Sequence, residues 1–356
     1  MVVFGAGASY DSVSPRLNAA IDLAVDPLRP PLAAELFAER FSNFVADVPA
    51  AAPIVAQMRL ASLTGGDVER RLGELQEEVQ RYPERATHVA GVRFYLQRLL
   101  AAATARCMQR SAGVTNYLLL LDRIVAWQRA SGEPILLVTF NYDTLLEEAL
   151  ARILPNWTPA LHELMERRDV RLFKPHGSIS WARRAALDGL HDGPSDVLQE
   201  AICRNVARLN VTRNYVYRGD PLQVTTNSAT DVTPLLFPAV AIPVERKASF
   251  ECPDDHLERF KNVVVDVTRV IVVGWRATEA HFLDVLEKHM AKNRRIALHA
   301  VTESRASSVG TEQNLMHAAS DVSWIATHYS SNSGFSTFAE DPNPLLPFLQ
   351  SQAFVN

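Results

Sequence analysis

Six short runs of apolar residues, many of them β-branched, stand out along a chain that is otherwise mixed in polarity. They do not alternate strictly between apolar and polar positions, and this is typical of strands buried on both faces of a parallel sheet. The runs are VVFGAG at 2–7, ILLVTF at 135–140, RLFKPHG at 171–177, RVIVVGW at 269–275, IALHAVT at 296–302 and VSWIATH at 322–328. The pattern predicts six strands of one mainly parallel sheet.

Apolar residues at helical spacing separate the later runs. Phe282, Leu283, Leu286 and Met290 would all lie on one face of a helix between the fourth and fifth runs. Strands that alternate with helices in this way indicate an α/β fold whose sheet is covered on both faces. The sequence therefore predicts a Rossmann-like, doubly wound fold.

Two segments depart from the alternation. Residues 28–130 are rich in Ala, Leu, Arg and Glu and are predicted to form a large helical insertion, which PLRPPL at 27–32 introduces. Its apolar residues recur at helical spacing, as in Val92, Tyr95, Leu96, Leu99 and Leu100. Residues 182–233 are polar and mixed and are predicted to form a smaller second insertion or loop module. The sheet domain is then made of 1–27, 131–181 and 234–356.

Composition narrows the classes of partner. The chain has 356 residues, of which 47% are hydrophobic, enough for a substantial core. A net charge of −4 gives no global positive field, so nucleic acid is not an expected partner. The longest apolar runs are far shorter than the roughly 20 residues of a membrane helix, and no membrane-spanning segment is predicted. Since the first run starts at residue 2, we expect an edge of the sheet to be left bare or supplied by preceding sequence.

The three cysteines are far apart and form no Cys-x-x-Cys pair. An odd number of distant cysteines argues against a disulfide framework, and the missing pair argues against a zinc site. His281 and His289 are eight residues apart without a carboxylate at ligand spacing, so no metal centre is predicted. The expected location is the reducing cytoplasm.

The first run ends in GAGAS, with glycines at positions 5 and 7. Glycines directly after a buried strand let the backbone approach a ligand closely, and phosphate is the usual one. A dinucleotide fingerprint would place a third glycine where Tyr10 stands, and no suitable acidic residue ends a second strand about 20 residues on. An ordinary dehydrogenase is therefore disfavoured. The alternative is a glycine turn that joins strand to helix for packing reasons.

Polar residues follow the second and third runs. Asn141 and Asp143 come directly after ILLVTF, and ligands of open α/β sheets bind at the carboxyl ends of the strands. The alternative is that these residues merely cap a helix, since Thr144 and Glu147 have the spacing of a capping box. His176 follows the third run; it titrates near neutrality and is a candidate general base, or else a structural histidine.

Taken in order, GAGAS, Asn-x-Asp, Lys-x-His-Gly-Ser and Val-Val-Gly-Trp resemble the sirtuin-like superfamily. The likeness is to the zinc-free bacterial branch that is often found in antiphage defence. Arg29-Pro-Pro-Leu, the segment from Pro234 to Pro243, and Gly334-Phe-Ser also match that branch. The resemblance covers the sheet segments, roughly half of the chain.

This resemblance implies that the sheet domain binds NAD and cleaves its nicotinamide glycosidic bond without a metal. Asn141 would hold the nicotinamide ribose or orient a water, and His176 would be the general base. Asp143 would contact the carboxamide. The residues implied in binding NAD are Gly5, Ala6, Gly7, Ala8, Ser9, Asp143 and Gly274.

The chain departs from the sirtuin protein deacylases in three respects. Their zinc cysteines are missing, Phe140 stands where they have glutamine, and their Gly-Ile-Pro-Asp-Phe-Arg stretch is absent, although Arg16 would serve in part for its arginine. Protein deacylation and ADP-ribosyl transfer are therefore the poorer expectations. The sequence favours an NAD glycohydrolase that gives ADP-ribose and nicotinamide, regulated and used in antiphage defence. A non-catalytic module that binds NAD or ADP-ribose is the alternative, and a homo-oligomer or a defence-system partner protein is expected.

Overall fold

The computed structural model describes residues 1–13, 26–188, 194–225, 235–243, 250–326, 334–341, 343 and 345–350. Arg16 and Pro234 lie outside the described residues. Nine strands occur in the described part of the chain. They are β1 (Val2–Phe4), β2 (Ile135–Thr139), β3 (Val170–Phe173), β4 (Gly177–Ala186), β5 (Asn210–Tyr217), β6 (Leu235–Val240), β7 (Arg269–Val273), β8 (Arg295–Val301) and β9 (Ser323–Ala326).

All six predicted strands form one parallel sheet in the order β3-β2-β1-β7-β8-β9. β1, β2 and β7 are buried along their whole length, as expected for strands covered on both faces. The prediction of a doubly wound α/β fold is confirmed. β1 is not an edge strand, because it pairs with β2 on one side and β7 on the other.

Helices cover both faces of this sheet and build the region between β1 and β2. Their bounds are α1 (Ala6–Tyr10), α2 (Ser42–Ala46), α3 (Ala52–Leu63), α4 (Val68–Glu78), α5 (Ala86–Arg110), α6 (Asn116–Ser131), α7 (Leu145–Ile153), α8 (Leu161–Leu164), α9 (Ser195–Arg204), α10 (Asp254–Val264), α11 (Ala280–His289), α12 (Arg305–Ala318), α13 (Gly334–Glu340) and α14 (Leu345–Gln350).

In its described residues, the region predicted to be a helical insertion contains helices joined by turns, and it contributes to two hydrophobic cores. The helical spacing predicted from Val92 to Leu100 falls on α5, and all five apolar residues named for it are buried. Most of α5 packs in a second core, whereas Cys107 near its end and Tyr117 on α6 belong to the core of the main sheet. α6 is thus a layer of the sheet domain.

The second core also contains a three-stranded antiparallel sheet of order β5-β4-β6. Phe237 of β6 meets Phe94 of α5 edge to face, with ring centroids 5.9 Å apart. The two predicted insertions therefore share one hydrophobic core. β4 runs through the predicted limit between residues 181 and 182, because its first residues pair with β6 and its last with both neighbours.

His256 of α10 gives the fold a pH dependence of known sign. Its Nε2 lies 2.7 Å from the Leu161 carbonyl oxygen, and its ring meets Trp181 edge to face. Its buried Nδ1 has no hydrogen-bond partner in the described part of the chain. Burial lowers the pKa of His256 below its ordinary value of 6.5. As pH falls, the unfolded chain therefore binds a proton at His256 before the folded protein does. The free energy of unfolding consequently declines below about pH 6.5.

We expect His256→Gln, which keeps a donor but does not titrate, to lose less stability than the wild type between about pH 7.5 and about pH 5.5. Urea unfolding at the two pH values measures the difference. Parallel losses in the two proteins would show that His256 does not carry this dependence.

Candidate active site

The candidate site lies at the carboxyl edge of the parallel sheet, where the strand order reverses. From β1 the chain builds β2 and β3 on one side, then β7, β8 and β9 on the other. Ligands of open α/β sheets bind at such a switch point, and the order found here is the one typical of dinucleotide-binding sheets. Gly5 follows β1, Asn141 follows β2 closely, His176 follows β3 and Gly274 follows β7. The parallel direction brings all four to one edge.

The glycines bring the β1 and β7 loops into direct backbone contact. A Cβ atom on Gly5 would lie 2.6 Å from the Gly274 carbonyl oxygen. The amides of Gly5 and Gly7 donate to the carbonyl oxygens of Val273 and Gly274, at 3.0 and 3.1 Å. Packing thus explains why small residues stand here, and these two amides are already hydrogen-bonded within the protein.

Gly274 is a position where a side chain is poorly tolerated. Its φ of +60° is left-handed, and a Cβ would lie 2.4 Å from the Ala8 nitrogen. We expect Gly274→Ala to lower the free energy of unfolding by more than about 2 kcal/mol. The cost of backbone strain adds to the cost of a clash with the α1 backbone. The matched control is Gly132→Ala, with a φ of +74° and nothing within 4 Å, which carries the strain alone. Equal losses in urea unfolding would contradict the close approach.

Asn141 is the centre of a buried hydrogen-bond cluster. Its Nδ2 donates to the Gly5 carbonyl oxygen at 2.8 Å, to Ser9 Oγ at 2.8 Å and to the Tyr117 hydroxyl at 3.0 Å. Ser9 Oγ donates to Asp143 Oδ2 at 2.6 Å. Four of the residues singled out in the sequence, Gly5, Ser9, Asn141 and Asp143, are therefore joined directly, and Tyr117 is a member that the sequence analysis did not identify.

Asp143 also caps the helix that follows it. Its Oδ1 accepts the Leu145 amide at 3.1 Å, which partly bears out the capping alternative for this residue. The capping box predicted from Thr144 and Glu147 is wrong. Thr144 precedes α7 but its side chain makes no capping hydrogen bond to it. The Glu147 carboxylate pairs with Lys174 rather than with the start of the helix. Asn141 does not cap α7.

A fully buried lysine ties the β3 loop to the β2 loop. Lys174 Nζ donates to the Asp143 carbonyl oxygen at 2.6 Å and pairs with Glu147 Oε1 at 2.5 Å. The other carboxylate oxygen of Glu147 is buried and has no hydrogen-bond partner among the described residues. Burial raises the pKa of Glu147, against the opposing charge of Lys174. This pair fixes Asp143 relative to the segment that carries His176.

His176 lies against the residues that flank Asn141. Its ring meets Phe140 edge to face with centroids 4.9 Å apart and stacks on Tyr142 at 6.1 Å. Its carbonyl oxygen accepts the Ala241 amide at 3.0 Å, which anchors the loop from the opposite side. The loop from Phe140 to Tyr142 thus contacts His176 on one side and, through Asn141, the polar cluster on the other.

The remaining predicted binding residues lie on the α1 turn. Ala8 is buried and its amide donates to the Gly5 carbonyl oxygen at 2.9 Å, whereas Ala6 is half-buried. Trp275, next to Gly274, stacks on Phe140 at 5.0 Å and is buried, as expected for an aromatic core residue. Together these contacts give an edge where a carboxylate, an amide and an imidazole are held close to one loop.

Tyr117 could have been found from its surroundings in the sequence. It stands at the start of the apolar stretch YLLLL on a helix that must be buried, and a buried tyrosine hydroxyl needs a hydrogen-bond partner. The sequence does not say which partner it finds, because Ser9 and Asn141 are distant along the chain.

Among the described residues, no three or more His, Cys, Asp or Glu side chains cluster in a way that could hold a metal ion. Within the same ranges no helix has both the length and the apolar character needed to cross a membrane.

No protein-family model and no curated protein matches the chain. Solved structures that it resembles include a Sir2 homologue in complex with NAD, at 11% identity and a TM-score of 0.37, covering 96% of this chain and 86% of that one. A histidine-to-asparagine mutant of a Sir2 homologue with ADP-ribose matches at 14% identity and a TM-score of 0.29, over 61% and 72% of the two chains. A Sir2 enzyme matches at 12% identity and a TM-score of 0.30, over 90% of each chain. At these scores the function has to be inferred from the chain's own residues.

Proposed function

We propose that this protein is a sirtuin-like NAD glycohydrolase that cleaves the nicotinamide–ribose bond of NAD to give ADP-ribose and nicotinamide. One observation carries the proposal. At the switch point of a dinucleotide-type sheet, Ser9, Asn141 and Asp143 form a single buried hydrogen-bonded cluster, and His176 lies against the same loop.

The residues suit the charge changes of this reaction. The bond between the nicotinamide nitrogen and the ribose carbon breaks, and its electron pair returns to the ring, so nicotinamide leaves as a neutral molecule. Positive charge develops on the ribose, where preorganised polar groups of the site would stabilise it, and Asp143 would contact the carboxamide of the leaving nicotinamide. A water oxygen forms the new bond to the ribose carbon, and His176 accepts its proton, an effect of about 10²- to 10⁴-fold.

Water is the proposed acceptor, and no metal takes part in the proposed reaction. Phe140 supports this proposal because it stands where the deacylases have glutamine, and its buried apolar ring packs against His176 and Trp275 instead of offering a hydrogen bond. On the motif resemblance, we further propose that the protein is regulated and acts in the cytoplasm in antiphage defence. It would do so as a homo-oligomer or with a partner protein. Protein deacylation and ADP-ribosyl transfer would instead require NAD use that rises when an acceptor is added.

Release of nicotinamide from NAD tests the proposal. The wild type is compared with the double variant His176→Ala/Asn141→Ala across a range of protein concentrations, because assembly is a proposed trigger. We expect nicotinamide and ADP-ribose in equal amounts from the wild type only. If the two proteins are equally inactive at every concentration, hydrolysis is wrong.

A second candidate is a module that binds NAD or ADP-ribose without chemistry. Its supporting observation is that the amide group of Asn141 and the hydroxyl of Ser9 already donate their hydrogens within the protein. Such a satisfied cluster is also suited to hold a ligand without reacting. Recovery of intact NAD after tight binding would favour this function over hydrolysis.

A further inference from the structure

Tyr117 reaches the site from α6, which lies in the region predicted as a helical insertion. Its ring is fully buried against Phe4 and Phe335, with centroids 5.1 and 5.4 Å away. Its hydroxyl lies 2.9 Å from Ser9 Oγ and 3.0 Å from Asn141 Nδ2. The ring is thus fixed by packing and the hydroxyl is held at the centre of the cluster.

The direction of each hydrogen bond in the cluster follows from what each group can do. A carboxylate only accepts, so Ser9 donates its single hydrogen to Asp143. Ser9 can then only accept from Tyr117, which makes the Tyr117 hydroxyl a donor to Ser9. Burial raises the pKa of Tyr117 well above its usual value, with the Asp143 charge adding to the effect, so this hydroxyl keeps its hydrogen.

The same reasoning fixes the amide of Asn141. The Gly5 carbonyl oxygen only accepts, so the atom that faces it is Nδ2 and not Oδ1. The two hydrogens of Nδ2 have three acceptors within 3.0 Å, so at least one hydrogen is shared between two of them. Oδ1 is the other terminal atom of this amide group, and it forms no hydrogen bond with the residues in the described ranges.

We propose that Tyr117 is a positioning residue that, together with Ser9 and Gly5, holds the Asn141 amide with Nδ2 inward and Oδ1 toward the ligand. This inference rests on the proposed function. It specifies that the site presents a hydrogen-bond acceptor at this point. Oδ1 can accept a hydrogen bond from a ribose hydroxyl or from a water, but it cannot donate one to an oxyanion. The proposal therefore places the diphosphate of NAD away from Asn141.

The test uses Tyr117→Phe, which deletes the hydroxyl and keeps the ring. The matched control is Tyr95→Phe, another fully buried tyrosine, whose hydroxyl donates to the Leu36 carbonyl oxygen in the second core. The side-chain NH₂ signals of Asn141 are recorded by ¹⁵N NMR in the ligand-free proteins and assigned by their loss in Asn141→Asp. We expect them to shift in Tyr117→Phe and to stay in place in Tyr95→Phe.

Nicotinamide release gives the second readout. We expect Tyr117→Phe to lower kcat by about tenfold with KM little changed, because it removes one hydrogen bond that orients the amide. A tenfold change corresponds to about 1.4 kcal/mol, which is within the range of a single hydrogen bond. Tyr95→Phe should leave both constants near the wild type. Should Tyr117→Phe fail to fold, Asn141→Asp tests the same orientation, because its oxygen would face the Gly5 oxygen; it should release nicotinamide at least tenfold more slowly.

The two proposals fail in different ways. Unchanged Asn141 signals in Tyr117→Phe overturn the positioning role whatever the activity. If the signals shift in Tyr117→Phe but the wild type cleaves no NAD, the positioning role is supported and hydrolysis is overturned. If Tyr117→Phe folds, with shifted signals and an unchanged kcat, the orientation of the amide is irrelevant to the reaction and the inference is wrong.

Discussion

Replacing Lys174 with methionine is expected to lower the free energy of unfolding by about 3–5 kcal/mol, because it leaves the Glu147 carboxylate buried without its partner. Lys174 is fully buried, and methionine keeps the length of its stem while removing the ammonium. The loss should be smaller at low pH. Burial already raises the pKa of Glu147, so the folded protein takes up a proton there before the unfolded chain does, and protonation removes the uncompensated charge.

Urea unfolding of three variants measures this effect. The matched control is Lys292→Met, whose pair with Asp321 is about half exposed on both sides and should be worth no more than about 1 kcal/mol. The double variant Lys174→Met/Glu147→Leu should recover much of the stability, since no buried charge remains. A Lys174→Met protein as stable as the Lys292→Met control would contradict the buried pair.

Replacing His176 with alanine is expected to slow nicotinamide release by about 10²- to 10⁴-fold, the range that a general base contributes. The effect should fall on kcat, because the proposed role of the imidazole is to take the proton of the attacking water.

The control for this prediction is His162→Ala, on α8, whose side chain is 72% exposed. It removes an imidazole of the same kind away from the carboxyl edge of the sheet and should leave the rate unchanged. A rate for His176→Ala within a few-fold of the wild type would contradict its role as the base and leave binding as its only remaining function.

The sheet was predictable because its strands are buried on both faces. Runs such as ILLVTF have no exposed side to interrupt them, and each of the six became a strand of the parallel sheet. The antiparallel sheet was not predicted, because β5 from Asn210 to Tyr217 is exposed or half-buried along its length and reads as a polar segment. Its partners β4 and β6 lie on either side of that segment in the chain.

The site was predictable as far as one strand end at a time. Asn141, Asp143 and His176 follow buried strands, and the parallel topology brings them to one edge. Contacts between distant segments could not be predicted. Lys174 turns Glu147 away from the helix cap that its spacing suggested, and Tyr117 meets Asn141 across 24 positions of sequence.

The most direct test of the central claim is a crystal structure of the His176→Ala variant with NAD, in which slow cleavage preserves the substrate. The proposal predicts the dinucleotide at the switch point between β1 and β7, with a hydroxyl of the nicotinamide ribose within hydrogen-bond distance of Asn141 Oδ1. NAD bound away from this edge, or a phosphate against Asn141, would contradict it.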